Sequence, residues 1–107
     1  MEEKVEIAIL LNLYGNLLTK TQKKYMDLYY NQDLSLSEIG DNENITRQAV
    51  NRNLLYSKAK LYEYEKKLKF LQKEKQIKSL IEKYYNQEKT EKNKDKIIEK
   101  INKWLDV

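Results

Sequence analysis

Two residue types are missing from the chain altogether. There is no cysteine and no histidine among its 107 residues. The first absence excludes disulfides, thiolate metal sites and thiol nucleophiles. The second removes the commonest zinc ligand and the base of a Ser-His-Asp triad. With both gone, carboxylate or lysine chemistry is all that remains to an enzyme, so the composition points to a protein that is not an enzyme and carries no cofactor or metal. Proline is absent too, and glycine occurs only at Gly15 and Gly40. Long helices meet no breaker, and a β-rich fold would need more turn residues. An all-α fold is the expectation.

Long apolar runs are also lacking. The stretch Ile7–Leu11 is too short for a secretory core and follows the acidic MEEKVE, where a leader is basic. Nothing reaches the roughly 18 apolar residues of a membrane span. A cytoplasmic protein without membrane insertion is therefore expected.

Charge is plentiful but uneven. The net charge is +4, and of 21 basic residues only Arg47 and Arg52 are arginine. An AT-rich coding bias explains that lysine surplus as readily as a nucleic-acid partner does. Residues 1–57 hold six basic and eight acidic side chains, whereas residues 58–107 hold 15 basic and nine acidic.

Periodicity organises the rest. Ile7, Leu10, Leu11, Tyr14, Leu17 and Leu18 recur at helical spacing, predicting a first helix from Lys4 to about Asn16. Thr19-Lys-Thr-Gln22 and Ser35-Leu-Ser-Glu38 each fit a capping box, so helices should open after Thr19 and after Ser35. Asp41-Asn-Glu-Asn44 breaks the second of these, with Asn44 suited to a left-handed turn. Thr46 is an N-cap for the next helix, whose Ile45, Val50 and Leu54 point inward.

That next helix shows no stop before about Tyr85. One apolar stripe holds Leu54, Leu61, Tyr64, Leu68 and Leu71, and a second, roughly opposite, holds Leu55, Tyr62, Phe70, Ile77, Leu80, Ile81 and Tyr84. Either two faces are gripped, or the helix bends or breaks in the polar run 72–76. A polar linker is expected near 86–93. The chain then closes on an amphipathic helix with Ile97, Ile98, Ile101, Trp104 and Leu105 on one face. This divides the chain into a domain over 1–60 and a continuation over 61–107. A homodimer is expected in which long helices pair, with Leu61, Tyr64, Leu68, Leu71, Ile101 and Trp104 as packing residues. Of the tyrosines, Tyr29, Tyr30 and Tyr84 are expected to be partly exposed.

The segment 34–54, LSLSEIGDNENITRQAVNRNL, has the makings of a helix-turn-helix. Gly40 is the small residue where two helices touch, and Asn44 the left-handed turn. Thr46, Arg47, Gln48, Asn51 and Arg52 fall on the exposed first turns of the second helix, which enters the major groove in such motifs. Arginine forks to guanine, and glutamine or asparagine to adenine. Lys58, with Lys60, Lys20, Lys23 and Lys24, supplies a candidate phosphate patch. Glu43 departs from the pattern, since the residue before the turn is usually apolar.

The run LLTKTQKKYMDLYYNQDLSLSEIGDNENITRQAV resembles region 4 of bacterial sigma factors. It resembles more closely the small YlxM proteins of low-GC Gram-positive bacteria. Those share the patterns seen at Leu17–Gln22, Tyr25–Tyr30, Asp33–Ile39, Thr46–Val50 and Leu61–Leu68. The likeness covers about residues 4–85. It departs at Glu43 and at Asn51-Arg-Asn53, where the family tends to carry an aromatic and then an acidic residue. The resemblance implies a sigma region 4-like helical bundle, to which the periodicity adds a long extending helix and a short C-terminal helix. Because YlxM genes tend to lie beside that of the signal recognition particle GTPase, it also implies a regulatory or accessory role there, with that GTPase or its RNA as partner. Two other readings come from the residues themselves: a regulator binding double-stranded DNA through Thr46–Arg52, and a purely structural interaction module.

Overall fold

A computed structural model describes residues 2–85 and 91–105, and among them there are helices and no strands. The helices are α1 Glu3–Tyr14, α2 Lys20–Tyr30, α3 Leu36–Glu43, α4 Arg47–Leu68, α5 Phe70–Tyr85 and α6 Glu91–Leu105. A single 3-10 turn, Gly15–Leu17, follows α1. Among the described residues no helix is long and apolar enough to cross a membrane. The chain divides into two compact units, Met1–Lys69 and Phe70–Val107.

Three hydroxyls start α2, α3 and α4, whereas α1 opens without a side-chain cap. Thr19 and Ser35 each close a full capping box, with Gln22 and Glu38 answering three residues on. The Thr46 hydroxyl accepts from the Ala49 N–H at 3.0 Å and opens α4. Each satisfies an amide that would otherwise face the helix end unpaired. The core of this unit comprises Ile7, Leu10, Leu11 and Tyr14 of α1, Leu18 just after the 3-10 turn, Tyr25 and Met26 of α2, Ile39 of α3, and Val50, Leu54 and Leu61 of α4. Tyr14 is buried with its hydroxyl donating to Glu65 at 2.7 Å, so α1 is tied to the far end of α4. The Tyr64 hydroxyl donates to the Leu17 carbonyl at 3.2 Å.

Four expectations need correction. The apolar face of α1 does not extend to Leu17, which is exposed; the tighter 3-10 turn swings it outward. The long helix is not continuous to Tyr85, and its break is not in 72–76. It ends at Lys69, whose backbone is left-handed (φ 59°) and whose N–H donates to the Glu65 carbonyl at 2.8 Å. Lys66 and Lys67 sit in the last turn of α4, where cations favour the helix end. α5 then runs unbroken through 72–76. The boundary placed at 60/61 consequently falls inside α4. Of the linker at 86–93, residues 91–93 already belong to α6, and 86–90 lie outside the described residues.

In the second unit Leu71 and Leu80 are buried, while Ile81 and Ile98 are exposed. The ammonium groups of Lys83 and Lys100 stand 5.6 and 5.7 Å from the Tyr84 ring centre. Ile101 is half-buried; the Ile97, Trp104 and Leu105 side chains lie outside the described residues.

Candidate nucleic-acid interface

The connection between α3 and α4 is built on backbone contact. Asn44 is left-handed (φ 56°, ψ 41°), and the Ile45 N–H donates to the Gly40 carbonyl at 3.0 Å. A Cβ on Gly40 would lie 2.7 Å from the Ile45 carbonyl oxygen. Only glycine lets the turn fold back this closely. Ile39, Gly40, Val50 and Leu54 are buried around the junction. α3 and α4 are thus a helix-turn-helix pair with Gly40 at the contact.

The motif presents Arg47, Gln48, Asn51 and Arg52 to solvent on the first two turns of α4. The exposed Thr46 is spent on its cap. Among the described residues neither arginine carries an ion pair. The lysines differ: Lys4 pairs with Asp33 at 2.7 Å, Lys24 with Glu43 at 2.8 Å, Lys58 with Glu3 at 2.6 Å and Lys60 with Glu63 at 3.6 Å. Hydrogen bonds to Asp33, Glu43 and Glu3 hold the Lys4, Lys24 and Lys58 ammonium groups above the usual lysine range. Lys23 donates to the Asn16 side chain at 2.6 Å. The sequence therefore overstates the patch of Lys23, Lys24, Lys58 and Lys60, since each of these ammonium groups already has a partner. Exposed pairs of this kind are weak and can exchange for a phosphate.

The candidate packing residues separate. Leu61 is fully buried and Tyr64 is committed to Tyr14 and Leu17, its ring 6.2 Å from that of Tyr14. Both are used inside the first unit. Leu71 is buried too, whereas Leu68 is partly exposed. Tyr29, Tyr30 and Tyr84 are half-buried as expected. Burial raises the Tyr30 hydroxyl above its ordinary range.

The sequence places Leu55 and Tyr62 in a second apolar stripe and does not single out Tyr56; all three are exposed on α4. Leu55 borders a cleft of about 250 Å3, lined also by Tyr29, Tyr30, Leu36, Asn51 and Lys58. The signal was available. At 100° per residue Leu55 lies between Gln48 and Asn51, on the same exposed side of the helix.

Fold and junction together define a helix-turn-helix protein. A family model described as "Putative helix-turn-helix protein, YlxM / p13 like" matches residues 1–101. A UPF0122 protein of Fusobacterium nucleatum is 45% identical over 102 residues, 94% of this chain and 97% of that one. One from Mycoplasma capricolum is 38% identical over 104 residues, covering 97% and 92%. One from Clostridium kluyveri is 46% identical over 77 residues, covering 72% and 69%. The chain belongs to the UPF0122 family.

Proposed function

We propose that this protein is a regulatory helix-turn-helix protein that contacts double-stranded DNA through the opening turns of α4. The observation that carries this reading is the state of its only two arginines. Arg47 and Arg52 are both exposed on those turns without an ion pair among the described residues, and Gln48 and Asn51 stand between them. These side chains match the donor and acceptor patterns of guanine and adenine edges. Asp41, exposed on α3, and the acidic balance of residues 1–57 work against phosphate affinity, so binding by one copy is weak. A homodimer accompanies the reading. The second unit spans 38 residues, a size that rarely sustains its own core, and it leaves Ile81 and Ile98 exposed. The test is fluorescence anisotropy with duplex DNA at about 50 mM salt, where phosphate contacts are strongest. Arg47→Ala and Arg52→Ala are each expected to weaken binding about tenfold. Absence of binding, or indifference to both variants, overturns the reading. Sedimentation as a stable monomer at high micromolar concentration removes the dimer.

A second reading is favoured by the surplus of lysine in residues 58–107. Fifteen basic against nine acidic side chains suit an RNA backbone or an acidic protein face. With the YlxM resemblance, this supports an accessory role at the signal recognition particle, through its RNA or its GTPase. The same titration with that RNA and that GTPase decides it: saturable binding to either, with duplex DNA ignored, replaces the first reading with this one.

A further inference from the structure

Four positions on α4 form one continuous reading face. Gln48, Asn51, Arg52 and Leu55 stand at i, i+3, i+4 and i+7, within an arc of about 100° and about 10 Å of helix length. Homeodomain recognition helices contact bases with the same spacing. Ten ångströms matches about three base-pair steps. All four side chains are exposed, Leu55 at 55%. A leucine on a polar face presents no donor or acceptor, so it contributes to recognition only by covering an apolar group.

The major groove offers one such group, the 5-methyl of thymine. Gln48 and Asn51 carry the paired donor and acceptor that adenine N6 and N7 complement. Three of the four positions thus favour A·T pairs, and Arg52 is left for a guanine or a phosphate. Resting on the DNA reading above, we infer that the protein selects an A·T-rich half-site, with Leu55 as the residue that detects the thymine methyl. Leu55 is exposed and is not among the buried residues of the helix-turn-helix junction, so its removal separates recognition from folding. Its alternative use, in an apolar contact with a protein partner beside the Tyr29–Tyr30 cleft, makes no distinction between bases.

Duplexes selected from a random library by the full-length protein are the first measurement. The selected core is expected to be rich in A·T. Each thymine of that core is then replaced in turn by uracil, which deletes the methyl group and nothing else. One replacement is expected to weaken wild-type binding about fourfold, the worth of one buried methyl. Leu55→Ala is expected to bind thymine and uracil duplexes equally while retaining wild-type helix content. A G·C-rich selected core, or uracil tolerated at every position by the wild type, overturns the inference while leaving DNA binding intact. Failure to select any duplex overturns the DNA reading itself, and this inference with it.

Discussion

Lys24 of α2 reaches Glu43, the last residue of α3, and their charged atoms lie 2.8 Å apart. The Glu43 side chain retains only 20% of its exposure. This pair occupies the position where an apolar contact would normally pin the first helix of the motif. Glu43→Leu is expected to leave the urea midpoint at or above wild type, because leucine restores that contact and frees Lys24 for phosphate. Lys24→Ala is expected to lower it slightly, by leaving the mostly covered carboxylate without its partner. A large loss in the Glu43→Leu protein contradicts this account of the junction.

The two glycines are expected to respond oppositely to alanine. Gly40→Ala drives a Cβ to 2.7 Å from a backbone oxygen and is expected to cost about 1–3 kcal/mol. Gly15 has ordinary right-handed angles, and its Cβ would meet the Leu11 side chain at 3.4 Å. Gly15→Ala is therefore expected to gain up to about 1 kcal/mol by restricting the unfolded chain. Equilibrium urea unfolding of both variants distinguishes the signs.

Two leucines six residues apart on α4 provide an internal comparison. Leu61 is fully buried, and Leu61→Ala is expected to cost about 2–5 kcal/mol. Leu55→Ala removes a side chain already half in solvent and is expected to change stability by no more than about 0.5 kcal/mol. Equal losses in thermal or urea unfolding would place Leu55 in the core and contradict its reading role.

DNA affinity is expected to depend only modestly on salt. Lys4, Lys24, Lys58 and Lys60 are already paired within the chain. On the opening turns of α4 the cations are Arg47 and Arg52 alone, and each neutralised phosphate adds about 0.9 to the log–log slope. A slope below about 4 in magnitude is expected for a dimer, falling by about one per site in Arg47→Ala. A slope near 10 would mean that the lysine pairs break on binding.

Stability is expected to be flat from about pH 5.5 to pH 9, since the chain has no histidine. At the alkaline end Lys4, Lys24 and Lys58 have folded values raised by hydrogen bonds to carboxylates, and Tyr30 by burial. A raised value adds stability below the unfolded value and loses it as pH climbs through the folded one. The decline therefore begins near pH 10. At the acid end the Lys67 hydrogen bond, with Lys60 close by, holds Glu63 below the usual carboxylate range. Its contribution is lost as pH falls through that lowered value. Urea midpoints from pH 3 to pH 11 trace both edges.

Local signals were legible and distant ones were not. Thr19, Ser35, Thr46, Gly40 and Asn44 each act within a few residues, and their spacing announced their roles. Asp33 and Lys69 adopt left-handed backbones without being glycine or asparagine. At Lys69 that misread the length of α4. Contacts such as Lys24–Glu43, Lys58–Glu3 and Tyr14–Glu65 join helices far apart in sequence. They decide which lysines stay available, and periodicity carries no record of them. The hydrophobicity of Leu55 suggested a second packed stripe; exposure on the side of Gln48 and Asn51 gives it another meaning.

The left-handed Lys69 sets a mechanical limit. A continuous helix transmits twist, because each peptide is laced to the one four residues ahead. At Lys69 the chain takes left-handed angles between the end of α4 and the start of α5. A strained lysine there holds those angles against neighbouring ones that would be easier. Lys69→Gly would leave the same left-handed geometry accessible at lower backbone cost.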